Sequence, residues 1–86
     1  MENDIIYNNG EIKLKHLTRI QYKSKLNNRI MDGMIIGQEA TQFIVWTDKG
    51  ITTKVHTNDI LQISVIAGNE DLFVSLDEYK TMPENN

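Results

Sequence analysis

The side chains that usually carry chemistry are few in this sequence and poorly spaced for catalysis. Its two histidines, His16 and His56, lie forty positions apart. Neither has a second histidine one helical turn away, the His-x-x-x-His spacing that would put two imidazoles on one face for a metal. There is no cysteine, which removes thiolate nucleophiles and thiolate zinc sites. No Gly-x-Gly-x-x-Gly, P-loop or Gly-x-Ser-x-Gly stretch occurs, so nothing cradles a phosphate or presents an activated serine. The carboxylates after Gly68 fall as Glu70-Asp71, Asp77-Glu78 and Glu84, with no spacing that sets one as acid and another as base. The expectation is a protein with no catalytic residue, no metal and no cofactor, and therefore not an enzyme.

Binding chemistry is better represented. The formal net charge is −3, which argues against a general polyanion binder. Yet the charge is unevenly spread. Lys13, Lys15, Arg19, Lys23, Lys25 and Arg29 fall in one stretch that holds no acid, while the rest of the chain sets three lysines against twelve acids. Cations along one strand face would neutralise phosphates of a nucleic acid or nucleotide, or meet an acidic protein surface. The competing reading is a solvated strand face whose lysines discourage edge aggregation. Trp46 and Tyr7 are the candidate apolar anchors, since an exposed aromatic is a natural contact for a partner. The competing reading has both faces of the Trp46 strand covered. The acidic segment after Gly68 either imitates a phosphate backbone or simply solubilises the chain.

These side chains need strands to position them, and period two dominates. Ile5-Ile6-Tyr7 leads into Asn8-Asn9-Gly10, residue types that accept positive φ and favour a tight turn. From Ile12 to Leu26 the even positions are mostly apolar and the odd ones mostly Lys, Arg or Gln, which turns one set inward and the other to water. That run exceeds an ordinary strand, so a break is expected near His16-Leu17-Thr18. A short helix over 11–17 is the local alternative. Asn27-Asn28 turns the chain into a strand from Arg29 to Gly37, with a bend or bulge at Gly33 or Gly37. Gln38-Glu39-Ala40 connects to Thr41–Thr47, whose Phe43, Ile44, Val45 and Trp46 suit a strand best. Trp46 has the opposite parity to Phe43 and Val45 and is expected outward. Strands over 51–56 and 60–66 follow, with Thr57-Asn58-Asp59 as a turn of 3₁₀ helix and 68–71 as a loop. Leu72-Phe73-Val74 is ambiguous. Ser75-Leu76-Asp77-Glu78 fits a capping box opening a short helix to Met82.

Eighty-six residues make one domain with a thin core, expected over 1–82 with a disordered tail at 83–86. The cysteine-free composition fits a reducing compartment. The acidic Met1-Glu2-Asn3-Asp4 start has no basic n-region of a signal peptide, and no apolar run nears the roughly 20 residues that span a bilayer. A cytoplasmic location without a membrane partner is expected. Lys outnumbers Arg seven to two and Ala occurs twice, a composition typical of a low-GC bacterium or its phages and mobile elements.

Asp32-Gly33-Met34-Ile35-Ile36, Phe43-Ile44-Val45-Trp46, the Gly50 turn, Thr53-Lys54-Val55-His56 and Asn58-Asp59-Ile60-Leu61-Gln62-Ile63 together resemble the Sm-like and SH3-like bent barrels. They are also similar to the YolD-like small proteins of low-GC bacteria and their phages. The resemblance covers about residues 18–66 and implies an all-β fold, a five- or six-stranded Sm/SH3-like barrel, here with a short C-terminal helical turn. Sm-like proteins typically bind RNA with an Arg-Gly pair before the last strand; here Thr57-Asn58-Asp59 stands there, so that role does not carry over. The functional expectation is a phage- or mobile-element-encoded binding module that docks on a host protein and modulates or inhibits it, with self-association into a homo-oligomer through barrel edges. The alternative is a nucleic-acid- or nucleotide-binding regulator, one that sequesters a nucleotide signal, acting through the basic 13–29 face.

Overall fold

The computed structural model describes residues 5–82, with the side chain of Ala67 excepted. The expected tail at 83–86 lies outside the described residues. Eight strands and one short helix follow in order: β1 (Ile6–Asn8), β2 (Lys13–Lys15), β3 (Arg19–Lys23), β4 (Ile30–Glu39), β5 (Gln42–Thr47), β6 (Thr52–His56), a 3₁₀ turn (Thr57–Asp59), β7 (Ile60–Ala67), β8 (Glu70–Ser75) and α1 (Leu76–Thr81). The fold is all-β with a C-terminal helical turn.

The strands form two sheets, a β1–β2 pair and a six-stranded antiparallel sheet in the order β6-β5-β4-β3-β7-β8. The expected barrel does not close. β4, β5 and β6 follow β3 as a meander, and the 3₁₀ turn then carries the chain back so that β7 pairs with β3. β8 extends the sheet beyond β7. Among the described residues no ladder joins β6 to β8, so both remain edges.

One hydrophobic cluster holds the two sheets together. Ile20 and Tyr22 of β3, Ile35 of β4, Phe43 and Val45 of β5, and Val55 of β6 all turn to it, as do Ile60 and Ile63 of β7. Ile12 and Leu14 join from the β1–β2 side, so the hairpin lies over the inner face of the larger sheet. Alternation does this: Leu14 is buried between exposed Lys13 and Lys15, and Ile20 and Tyr22 are buried between exposed Arg19 and Lys23. Leu76 and Tyr79 of α1 pack against the same cluster, and the Tyr79 hydroxyl donates to the Lys13 carbonyl at 2.6 Å.

The long alternation breaks at His16-Leu17-Thr18, where Leu17 takes φ 70°. The helical alternative over 11–17 does not form, because Leu14 is needed in the core on a strand rather than at helical spacing. β4 carries a bulge between Ile35 and Gly37. The carbonyl of Ile36, the extra residue, accepts from the Tyr7 hydroxyl at 3.0 Å, which answers a polar group that the shifted ladder would leave unpaired. Gly33 lies opposite Thr47 on the inner face, and a Cβ there would sit 2.3 Å from Val45 Cγ1 and 3.5 Å from Tyr22 Cε1. The sheet folds on itself tightly enough at this point to exclude a side chain.

Two connections differ from expectation. Gln38 and Glu39 are strand, leaving a two-residue turn with Ala40 at φ 57°. Glu70 and Asp71 are strand as well, since the reversal needs only Gly68 (φ 67°) and Asn69. The Ser75 side of the expected capping box forms, its Oγ accepting from the Glu78 amide at 3.1 Å. No helix among the described residues is long and apolar enough to cross a membrane.

Candidate functional site

The outer face of the six-stranded sheet, opposite the core, gathers a mixed apolar and charged surface. Its residues come from the second set of each alternation. The register places Met34 of β4 between Arg19 of β3 and Trp46 of β5. On the other side of β3, Gln21 pairs with Gln62 of β7 and Ser64 pairs with Phe73 of β8. Trp46, Met34, Arg19 and Phe73 therefore rake across the sheet. Trp46 and Phe73 are each 43% exposed, and with Met34 and Arg19 they line an open depression of about 580 Å³.

A second row borders the same depression. Gln21 faces Asp32, and Asp32 and Asp48 flank the last β4–β5 pair, Gly33 opposite Thr47. Asp32 on β4 and Asp48 in the turn just after β5 thus both border the depression. Both are exposed, and neither has an ion-pair or hydrogen-bond partner among the described residues. Like charges gathered at neighbouring positions of a sheet cost stability. Their field reaches the core: burial pushes the Tyr22 phenol above its ordinary value, and the charges of Asp48 and Asp32 push it the same way.

The basic residues do not assemble into one face. Lys13 and Lys15 stand on the small sheet, while Arg19 and Lys23 stand on the large one. Each pair points away from the core that the two sheets share. Lys25 lies in the turn after β3, with its Nζ 3.4 Å from Asp59, and Arg29 is exposed just before β4. Arg19 alone of the six lines the depression.

Tyr7 is half-buried against the core, away from the Trp46 face. Its single hydroxyl proton goes to the Ile36 carbonyl, which can only accept. The 3.0 Å contact with His16 Nδ1 is then completed by a proton on that nitrogen. His56 does different work: its Nδ1 accepts from the Asn58 amide at 3.3 Å and caps the 3₁₀ turn. Among the described residues no three His, Asp or Glu gather where a cation could be held.

Sequence reasoning named Trp46 and Arg19 but missed Met34, Phe73, Asp32 and Asp48. Parity within each strand carried their outward direction; what was missing was the register that sets one strand's residue beside another's. It also read Asn9 only as a turn residue. Asn9 is buried, its Oδ1 accepting from the Glu11 and Ile12 amides at 2.9 and 3.1 Å. Its Nδ2 donates to Thr57 Oγ1 and to the Thr41 carbonyl, so one side chain ties together three turns. Comparison of the chain with models of known protein families, with curated proteins and with solved structures finds no match.

Proposed function

We propose that this chain is a non-enzymatic binding module that docks a protein, in the setting of the sequence reading a host protein, on the outer face of its sheet. One observation carries the reading: Trp46, Met34 and Phe73 line an open depression beside Arg19, Asp32 and Asp48. Interface cores favour aromatic, Met and Arg side chains, and a few such residues supply most of the binding energy. The unpaired carboxylates favour a partner that brings hydrogen-bond donors or cations to the rim. The open six-stranded sheet supports an Sm/SH3-like architecture of the unclosed kind, with β3 to β7 as its five-stranded unit.

The nucleotide or nucleic-acid alternative draws on less. Its six cations are divided between two sheets and a turn, and two carboxylates share the face with Arg19. The two readings separate in one experiment, capture of cellular protein and of nucleotide on the immobilised chain across a salt series. The protein reading expects a partner protein that survives rising salt, is lost with Trp46→Ala, and is kept when Lys13, Lys15, Lys23 and Lys25 are changed to Glu. A truncated hot-spot residue costs about 2 kcal/mol or more of binding. Trp46 is the only tryptophan, so its emission reports the same contact directly. Retention that falls with salt and disappears with the four glutamates, while Trp46→Ala keeps it, would overturn the reading in favour of phosphate binding.

A further inference from the structure

We propose that β8 is a self-association edge, through which two copies of this chain join antiparallel about a two-fold axis with Phe73 facing Phe73 of the second copy. β8 pairs with β7 on one side and, among the described residues, with no strand on the other. It bears exposed apolar side chains on both faces, Phe73 on the outer face at 43% and Leu72 on the inner at 45%. Ile66 of β7, 77% exposed, lies next to it. An edge of this kind pairs with another strand unless something guards it. The opposite edge is guarded: β6 reads Thr52-Thr53-Lys54-Val55-His56, and Lys54 Nζ holds Glu39 at 2.8 Å. Here α1 turns back onto the core instead of lying along the free side of β8.

The charges on β8 choose the partner's direction, and its apolar residues choose the register. A parallel second β8 in register would set Glu70 and Asp71 against the same acids, a destabilising arrangement. An antiparallel copy avoids this. A two-fold axis perpendicular to the sheet keeps outer residues opposite outer residues, so the self-facing residue is one near the strand centre. With Phe73 at that point, Leu72 faces Val74 and Asp71 faces Ser75 of the second copy. The apolar tripeptide then pairs with itself and no acid meets an acid. A register centred on Asp71 sets the two Asp71 carboxylates against each other. The join also brings both outer faces to one side of a continuous sheet, giving two Trp46 faces side by side.

The chain has no native cysteine, which makes cross-linking decisive. Directly opposed residues of an antiparallel pair have Cα atoms roughly 4.5–5.5 Å apart, within disulfide range. Phe73→Cys is therefore expected to oxidise to a covalent dimer, while Leu72→Cys, which faces Val74, and Thr52→Cys on β6 stay single. Light scattering over a dilution series should show monomer and dimer only. Phe73→Lys and Leu72→Lys, both at exposed positions and checked for folding by thermal melting, should each weaken the dimer about tenfold or more. Trp46→Ala should leave it intact, so this result stands apart from that of the docking experiment. A chain that is monomeric throughout overturns the proposal. So does equal cross-linking of Thr52→Cys, or a mass that climbs past the dimer, which would mean head-to-tail joining of β8 to β6.

Discussion

The two faces of the six-stranded sheet are built from alternate residues of the same strands, yet they obey different rules. On the inner face polar groups are answered and space is filled. Phe43, Val45, Ile35 and Ile63 are fully buried, the bulged Ile36 carbonyl is taken by Tyr7, and Asn9 uses both ends of its amide. No buried side-chain nitrogen or oxygen among the described residues lacks a partner. On the outer face two exposed carboxylates border one depression with no partner among the described residues, and an indole and a phenyl ring stand in water. Features that cost folding energy concentrate where a protein meets its partners. The comparison sets an inner face that carries stability against an outer face that carries the proposed docking surface, and it predicts opposite consequences for mutations one residue apart.

The largest effect is expected at Gly33, on the inner face. A methyl group there meets Val45 Cγ1 at 2.3 Å and the Trp46 carbonyl at 3.0 Å. The carbonyl is backbone and cannot swing aside, so Gly33→Ala must shift β4 against β5. Overpacking of this kind costs about 3 kcal/mol, read as a lower midpoint in urea unfolding. Met34→Ala, the next residue but on the outer face, should cost far less. If the two variants unfold alike, the division between faces is wrong at its centre.

Asn9 ranks next. Asn9→Ala leaves the buried Thr57 hydroxyl and Ile12 amide, and the part-buried Glu11 amide, without their partner. Stranded buried groups cost about 1–3 kcal/mol, and the loss should appear in the same unfolding series. Because this side chain joins the β1–β2 turn to the 3₁₀ turn, hydrogen exchange should quicken at both places together.

How much of this could be read in the chain depends on the distance over which each feature is written. Local features were legible: the break at Leu17, the Ser75 cap, the alternation of Leu14 with its lysines, and the 3₁₀ turn at Thr57. Each is decided within a few residues by parity or turn chemistry. Features that need a register were not. Nothing within β8 reveals that Phe73 shares a face with Trp46, because β7, β3 and β4 stand between them. Asn9 looks like any turn asparagine until Thr57, forty-eight positions away, comes to meet it. The closed barrel is a wrong expectation for the same reason, since the sequence names strands without saying which one lies beside β6.

A smaller effect tests whether the outer charges reach the core. The Tyr22 phenol is held above its ordinary value of 10.0 by burial, then by Asp48 and Asp32. In the unfolded chain the phenol ionises first as the pH rises past about 10. Its contribution to stability is therefore fully present below that pH and is lost as the pH climbs through the raised value in the folded chain. Tyr22→Phe should resist alkaline unfolding better than the parent above about pH 10, while the two chains keep a constant difference at neutral pH. Identical alkaline profiles would show that Tyr22 does not sense its surroundings in this way.

The smallest expected effect is the sharpest test of the comparison, because its sign is reversed. Asp48→Asn removes one of two like charges bordering the same depression while keeping nearly the same shape. Asp48 is exposed and has no partner among the described residues to lose. Relief of like-charge repulsion at a sheet surface amounts to about a few tenths of a kcal/mol, so the variant should melt slightly above the parent. The gain should shrink in high salt, which screens exposed charges. If a partner protein docks on the Trp46 face as proposed, the same change should weaken that binding, since the rim loses an acceptor for the partner's donors. A variant that is more stable and also binds better would mean that Asp48 serves neither face.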